Sequence, residues 1–201
     1  MNQIITIGRE FGSGGREIGR RLAEKLKFAY YDQEIITEMV KRTHFTEEYI
    51  QRIEENGVLP LLPITVGRTF ITRSPHMQEQ GLLLFTEQSK IIKEMAKQSD
   101  CVIVGRCANY VLREYQPFRI FVYADMNFKI ARSRKKGKEL TNLSDKELKK
   151  KILSVDKSRA KYHQFCSNEI WGEKSNYDLC INTSLIDIKD SIYGIKKFVK
   201  K

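Results

Sequence analysis

Short apolar runs alternate along the chain with longer segments in which apolar residues recur every three or four positions. The runs predict β-strands, and the spaced segments predict amphipathic helices. Ile18, Leu22 and Leu26, each four residues apart, illustrate the helical spacing. We predict strands over residues 3–7, 28–31, 101–104, 119–123 and 179–181. Beyond the helix that contains Ile18, we predict helices over residues 34–42, 81–98, 110–113, 127–136, 146–162 and 186–199.

This alternation favours an α/β fold with a parallel sheet covered by helices on both faces. Such sheets bind ligands beyond the carboxyl ends of their strands. The rhythm breaks over residues 56–76, which hold three prolines and two glycines, and we expect an irregular excursion there. Ser144 and Glu147 have the spacing of a capping box, so a helix is expected to begin after Ser144.

Composition limits the class of protein. The 201 residues are 41% hydrophobic and hold only 4 prolines and 12 glycines, which indicates one globular domain rather than a disordered or collagen-like chain. No apolar run approaches the roughly 20 residues of a membrane span. The first ten residues lack the pattern of a secretory signal. We therefore expect a cytoplasmic protein with no membrane partner.

The net charge of +11 and the pI near 9.5 suit a polyanionic partner. Nucleic acid, an acidic membrane or a phosphorylated small molecule would each fit, whereas solvated helix faces explain the same charge without a partner. The four cysteines (Cys101, Cys107, Cys166 and Cys180) show no metal-ligand spacing, and we interpret them as reduced thiols that mostly fill the core.

A glycine-rich loop follows the first predicted strand and leads directly into a helix. Its segment from Gly8 to Gly19 reads GREFGSGGREIG. Glycines allow backbone N–H groups to point inward, and a helix N-terminus adds partial positive charge, so the loop is suited to a phosphate. A tight turn without a ligand remains the alternative. The spacing does not complete the phosphate-loop pattern GxxxxGK[ST], and Asp32 fits the acidic position of a dinucleotide fingerprint poorly.

Five segments carry a resemblance to a known family. They are ITIGREFGSGGREIGRRLAEKL, VIVGRCANYVL, RIFVYADMNFKIARSRK, VDKSRAKYH and YDLCINTS. Together they resemble the cytidylate kinase-like branch of the P-loop nucleoside monophosphate kinases over nearly the whole chain. The resemblance implies a three-layer P-loop kinase fold with a five-stranded parallel sheet, helices on both faces and a helical lid. It implies one domain over residues 1–201, with an acceptor-side helical insertion at 43–98 and the lid at 132–163.

The same resemblance implies phosphoryl transfer from ATP, with Mg²⁺, to a nucleoside monophosphate such as CMP. Nucleotides are thus the expected partners, and nucleic acid is not. The candidate catalytic residues are Arg132, Arg134 and Arg159, which the resemblance implies, and Arg16, which lies next to the position of the family's lysine. The implied phosphate-binding residues are Gly12, Ser13, Gly14, Gly15, Arg16 and Glu17. The implied acceptor-binding residues are Asp32, Arg106 and Lys161.

Three departures from the family pattern affect the chemistry. The family's phosphate-loop lysine falls on Gly15, its magnesium-binding threonine on Glu17, and the aspartate of its Gly-Arg-Asp motif on Cys107. Arg16 is a candidate substitute for the lysine, since a guanidinium offers bidentate contacts to phosphate. A catalytically degenerate nucleotide-binding or regulatory protein with the same fold therefore remains the alternative function.

Several residues keep a structural alternative beside the functional one. Arg16 is a solvent-facing first-turn residue in that alternative, and Arg106 forms an ion pair with a structural carboxylate. Asp32 either caps a helix or orients a substrate hydroxyl. His163 is more often exposed than an acid or base in such a position, and Trp171 more often packs than stacks on a base.

Overall fold

A five-stranded parallel sheet forms the centre of the structure. The computed structural model describes residues 2–50, 75–137 and 140–199. The strands lie side by side in the order β2-β3-β1-β4-β5, and each neighbouring pair is parallel. Their bounds are β1 (Ile4–Arg9), β2 (Ala29–Tyr31), β3 (Cys101–Val104), β4 (Phe118–Tyr123) and β5 (Leu179–Asn182).

Helices connect the strands and cover the sheet. They are α1 (Gly15–Leu26), α2 (Gln33–Arg42), α3 (Pro75–Gln98), α4 (Ala108–Val111), α5 (Met126–Lys136), α6 (Asp145–Ser167) and α7 (Ile188–Val199). A further helical turn begins at Glu47, and short 3₁₀ segments lie at Arg113–Tyr115 and Lys174–Asn176. No helix in the described ranges is both long and apolar enough to cross a bilayer.

The alternation of side chains along β3 divides the core into two layers. Cys101 and Ile103 pack in the cluster formed with α2 and α3, whereas Val102 and Val104 pack in the cluster formed with α1 and α7. All four are fully buried. Because successive strand residues face opposite sides of a sheet, a strand without polar residues must be covered on both faces. The predicted three-layer α/β fold is therefore confirmed.

Helix boundaries differ from the prediction where capping residues decide them. Helix α3 begins at Pro75 instead of residue 81, since proline is favourable in the first turn of a helix. The rest of the predicted irregular segment lies outside the described residues. Helix α6 continues to Ser167, where Asn168 takes a left-handed conformation with φ of 60° and bonds the carbonyl of Gln164. The capping box of Ser144 and Glu147 is present as predicted.

Candidate active site

A pocket opens at the carboxyl ends of β1 and β3, where parallel sheets of this class bind ligands. It encloses about 230 Å³. Its floor is formed by Thr6, Ile7 and Gly8 of β1 and by Gly105 and Arg106, which follow β3. Residues from α1, α2 and α6 and the segment before β5 complete the wall. The pocket thus lies where five separate segments of the chain meet: residues 6–16, 33–36, 105–109, 159–163 and 171–177.

Four guanidinium groups line this pocket, and each comes from a different element. They belong to Arg9 at the end of β1, Arg16 in the first turn of α1, Arg106 after β3 and Arg159 on α6. The Arg159 guanidinium donates to the carbonyl oxygen of Arg9 at 3.1 Å and lies 5.8 Å from the ring of Phe11. Four cations around so small a volume repel one another unless an anion lies among them.

Asp32, in the turn between β2 and α2, is the carboxylate beside these arginines. Its Oδ2 pairs with Nε of Arg16 at 2.5 Å, and its main-chain carbonyl accepts from Nε of Arg106 at 3.2 Å. The side chain stands at the N-cap position of α2 but makes no capping hydrogen bond. Of the two roles predicted for Asp32, helix capping is therefore not the one adopted.

Burial affects the charge of two of these arginines. Arg106 is only 8% exposed, and burial lowers the pKa of its guanidinium to about 10, although Asp32 opposes that shift. Burial also lowers the pKa of Arg9, again opposed by Asp32 and assisted by Arg16. Arg106 is therefore still charged at neutral pH, but its charge is costly without a compensating anion.

Three buried polar atoms in or beside the pocket have no hydrogen-bond partner among the described residues. They are Oγ1 of Thr6, Oη of Tyr177 and Oδ1 of Asp32. Thr6 and Tyr177 line the pocket directly. Buried polar groups are nearly always hydrogen-bonded, so these atoms indicate a ligand that both accepts from hydroxyls and offers a hydroxyl to a carboxylate.

The side chain of Arg9 occupies the space beside Gly15, where the family lysine would begin. A Cβ on Gly15 would overlap Cβ of Arg9 and lie 3.1 Å from its Cγ. The Arg9 guanidinium continues to Gly105, where a Cβ would overlap Nη1. A lysine at position 15 is therefore excluded sterically. The cation that fills this region is Arg9, which sequence reasoning missed, since its only signal is a basic residue at the start of the glycine loop.

The glycine loop itself packs against α5 and the start of α7. Gly12 and Gly14 have φ of 76° and 91°, and Gly14 is the N-cap of α1. A Cβ on Gly12 would lie 2.7 Å from Oγ of Ser133, and one on Gly14 would lie 2.8 Å from Cδ1 of Ile188. Both positions thus require glycine for conformation and for space.

A buried charge network holds the start of this loop. Nζ of Lys129 donates to Glu10 at 3.0 Å and to Asp156 at 3.2 Å. Oδ1 of Asp156 also accepts the backbone N–H of Phe11 at 2.6 Å. Ser13 is fully buried, and its hydroxyl donates to the carbonyl of Glu10 at 2.8 Å. Nothing in the sequence pattern indicated this network, because its charged members Glu10, Lys129 and Asp156 are at least 27 residues apart.

On the other side of α1, Glu17 is surrounded by cations. Its carboxylate pairs with Arg132 at 2.5 Å, Arg21 at 2.8 Å and Lys136 at 3.4 Å. Although partial burial raises the pKa of Glu17, the hydrogen bond and charge of Arg132, with the other two cations, lower it to about 2. Glu17 and Arg132 line a second, open cavity whose far wall is the segment 183–189.

The predicted site residues thus fall into three groups. Arg16, Arg106 and Arg159 meet in the first pocket beside Asp32, and Glu17 and Arg132 line the second cavity together. The remaining two basic residues lie elsewhere: Arg134 pairs with Asp145 at 2.6 Å, and Lys161 does not contribute to either cavity wall in the described part of the chain.

His163 and Trp171 both line the first pocket. His163 is only 4% exposed, so the expectation of an exposed histidine is wrong. The reason is that α6 turns this face toward the core, where Asn109 Nδ2 lies 3.3 Å from Nε2 of His163. Trp171 meets Phe121 edge to face at 5.2 Å, which is the expected packing role, while it also forms part of the pocket wall.

Comparison with known proteins identifies the family. The model of the cytidylate kinase-like family matches residues 4–185. The chain belongs to this family. The match includes the glycine loop, all four pocket arginines and Glu17, so the site described above lies within the residues that match this family. No curated protein matches the chain.

Solved structures show the same fold at low sequence identity. An uncharacterized protein from Eubacterium ventriosum is 24% identical, with a TM-score of 0.71 over 100% of this chain and 99% of its own. Shikimate kinase from Bacteroides thetaiotaomicron is 16% identical, with a TM-score of 0.59 and 99% of each chain covered. Shikimate kinase from Acinetobacter baumannii in complex with shikimate is 15% identical, with a TM-score of 0.54, covering 99% and 93%. This cytidylate kinase-like chain therefore has a P-loop kinase fold.

Proposed function

We propose that this protein transfers the terminal phosphoryl group of ATP to a nucleoside monophosphate, with CMP as the first acceptor to test. The observation that carries the proposal is the convergence of Arg9, Arg16, Arg106 and Arg159 on one pocket at the carboxyl ends of β1 and β3. Membership of the cytidylate kinase-like family supports the reaction class.

The charges of the pocket favour a phosphate monoester as the acceptor. Asp32 pairs with Arg16, and Asp156 lies 3.9 Å from Arg159, so the four guanidiniums still outnumber the carboxylates beside them. A phosphate monoester brings about two negative charges at neutral pH. Planar guanidiniums bind phosphate oxygens in pairs. The unpartnered hydroxyls of Thr6 and Tyr177 can donate to the same anion, and Oδ1 of Asp32 can accept from a sugar hydroxyl.

Arg9 is our candidate for the role of the absent lysine. Phosphoryl transfer requires cations and N–H donors around the charge that develops on the phosphates, with little covalent work for the protein. The stem of Arg9 takes the room beside Gly15, and its guanidinium reaches the pocket floor at Gly105. Arg16 pairs instead with Asp32, which supports a positioning role on the acceptor side.

We assign the ATP phosphates to the loop from Gly12 to Glu17, with the terminal phosphate nearest the guanidinium of Arg9. Magnesium would assist by neutralising phosphate charge. Glu17 offers it one hard oxygen ligand, although three cations hold that carboxylate. No group of three or more acidic, histidine or cysteine side chains in the described ranges could hold a metal alone. This fits an ion bound mainly through phosphate oxygens, as Mg²⁺ commonly is.

A nucleotide-binding protein without turnover is the second candidate. Two observations favour it: a lysine has no room at Gly15, and Glu17 is neutralised by Arg21, Arg132 and Lys136 instead of being free for a metal. Such a protein would bind the same anions in the same pocket. The two candidates therefore differ only in whether product is formed.

The test is a panel of nucleoside monophosphates incubated with ATP and Mg²⁺, with direct detection of the diphosphate product and parallel thermal unfolding. Arg9→Met should abolish turnover, because methionine keeps the volume of the stem but not the charge. Arg20→Met is the matched control, since Arg20 lies exposed on α1 and its ion pair among the described residues is with Glu24. Nucleotide binding without product would favour the second candidate. Neither binding nor product with any nucleotide would refute both.

A further inference from the structure

Two buried cysteines meet at the wall of the first pocket. Cys107 follows Arg106 in the turn after β3, and Cys166 lies near the end of α6. They form a small buried cluster with Tyr162 and are 5% and 8% exposed. Only Cys107 of this pair lines the pocket, whereas Cys166 lies behind it. The proposed kinase reaction uses neither thiol.

The hydrogen bonds around Cys107 fix the position of its sulfur over one turn of α6. Sγ of Cys107 lies 3.9 Å from the carbonyl oxygen of His163. Cys166 is three residues further along the same helix, and residues at this spacing share a helix face. The Cys166 side chain therefore lies next to Cys107, and the two belong to the same buried cluster.

His163 is held in place beside this thiol pair. Its Nδ1 lies 3.1 Å from Oγ of Ser167, whose hydroxyl donates to the His163 carbonyl at 2.7 Å. Its Nε2 lies 3.3 Å from Nδ2 of Asn109. The backbone of Cys107 is also held in an uncommon conformation. Its φ of 55° is left-handed, which residues other than glycine rarely adopt. The thiol of Cys107 therefore lies against a segment of α6 whose polar groups are ordered by hydrogen bonds.

We propose that Cys107 and Cys166 form a peroxide-sensitive thiol pair, in which Cys107 reacts first through the pocket and Cys166 resolves the product from behind. This proposal does not depend on the proposed kinase function. The ionisation of Cys107 supports it: the hydrogen bond from Cys166, and then those from His163 and Ser167, lower its pKa although burial opposes them. The same burial raises the pKa of Cys166, so the two thiols have different roles.

The chemistry needs only a hydroperoxide as oxidant. The Cys107 thiolate attacks one peroxide oxygen, the O–O bond breaks, and hydroxide leaves as Cys107 becomes a sulfenic acid. The thiol of Cys166 then attacks the Cys107 sulfur and expels water, which forms the disulfide. Two thiols lose two electrons and two protons in all, and one hydrogen peroxide becomes two waters.

The test is mass spectrometry of the full-length protein after brief exposure to hydrogen peroxide and alkylation of the remaining thiols. We expect the mass of two hydrogen atoms to be lost and peptide mapping to link Cys107 with Cys166. Cys166→Ser should stop the reaction at a sulfenic acid on Cys107 that dimedone traps. Cys180→Ser is the matched control, because Cys180 is exposed on β5, and it should behave as the wild type.

Cys107 should be oxidised at least about tenfold faster than Cys101 or Cys180. The wild-type map alone is decisive, so the result does not depend on whether a Cys107 variant folds. Oxidation that begins at Cys180, disulfides between chains, or equal reactivity of Cys107 and Cys101 would each overturn the proposal.

Discussion

Replacing Arg106 by methionine is expected to change stability and ligand affinity in opposite directions. Burial lowers the pKa of Arg106 from 12.5 to about 10, a difference that corresponds to about 3 kcal/mol against the charged form in the folded state. Methionine carries no charge and removes this cost. The lost charge-assisted hydrogen bond to the Asp32 carbonyl offsets about 1.5–3 kcal/mol of this gain. The free energy of unfolding of the ligand-free protein should therefore be unchanged or up to about 1.5 kcal/mol higher.

The same substitution should weaken the binding of CMP. A charge-assisted hydrogen bond contributes about 1.5–3 kcal/mol, so the Kd should rise about 10- to 150-fold. Ligand at about 100 times the wild-type Kd stabilises the wild type by about 2.7 kcal/mol. At the same concentration, a variant that binds about 30-fold more weakly gains only about 0.9 kcal/mol. Urea unfolding with and without CMP measures both quantities.

One outcome would refute this reasoning. If ligand-free Arg106→Met lost several kcal/mol while CMP stabilised it as much as the wild type, Arg106 would serve to hold the Asp32 carbonyl in place. The buried cation would then be structural. Arg20→Met, on the exposed face of α1, controls for the loss of a positive charge as such.

Three further predictions concern α1. Arg16→Ala should lower turnover by a large factor with little change in melting temperature, since the Arg16 side chain is 66% exposed. Arg16→Lys should recover only part of the rate, and unchanged turnover in both variants would show that Arg16 is not part of the site. Gly15→Ala should cost about 1–3 kcal/mol of stability because the added Cβ clashes with Arg9. The control Gly194→Ala has open space around its Cβ and should be neutral or stabilising by up to about 1 kcal/mol; equal melting temperatures for the two variants would contradict the close contact of Gly15 with Arg9. The pKa of Glu17 lies at about 2 in the fold against 4.5 ordinarily, so its ion pairs stabilise the fold above pH 4.5 and that contribution is lost as the pH falls toward 2; acid unfolding of Glu17→Gln should lack this component.

The fold was predictable because its signals are local or periodic. The all-apolar run of β3, the four-residue spacing of Ile18 and Leu22, and the capping box of Ser144 each depend on neighbouring residues. Their meaning does not change with tertiary context. The predicted boundary was wrong at the end of α6, where Asn168 in a left-handed conformation ends the helix. An asparagine is a weaker sequence signal for this conformation than a glycine.

The candidate site was predictable only in part, because its geometry depends on contacts between distant segments. Arg106 could be found from its place after a buried strand. The role of Arg9 could not, since it follows from the room that Gly15 and Gly105 leave for its side chain. Likewise, Arg134 and Arg159 both lie in basic segments of the sequence. Arg134 on α5 pairs with Asp145, whereas Arg159 on α6 lines the pocket.

The central position of β1 has a consequence for how the chain folds. Among the five strands of this sheet, β1 comes first in the chain, and it pairs with β3 and β4, as in Ile4 with Cys101 and Ile5 with Phe118. Both edges of β1 can therefore form their backbone hydrogen bonds only after residues up to Tyr123 have been synthesised. Non-local parallel pairing of this kind makes folding slow and leaves hydrophobic strand edges open to association. During synthesis, the central strand of the sheet therefore precedes both of the strands that will cover its edges.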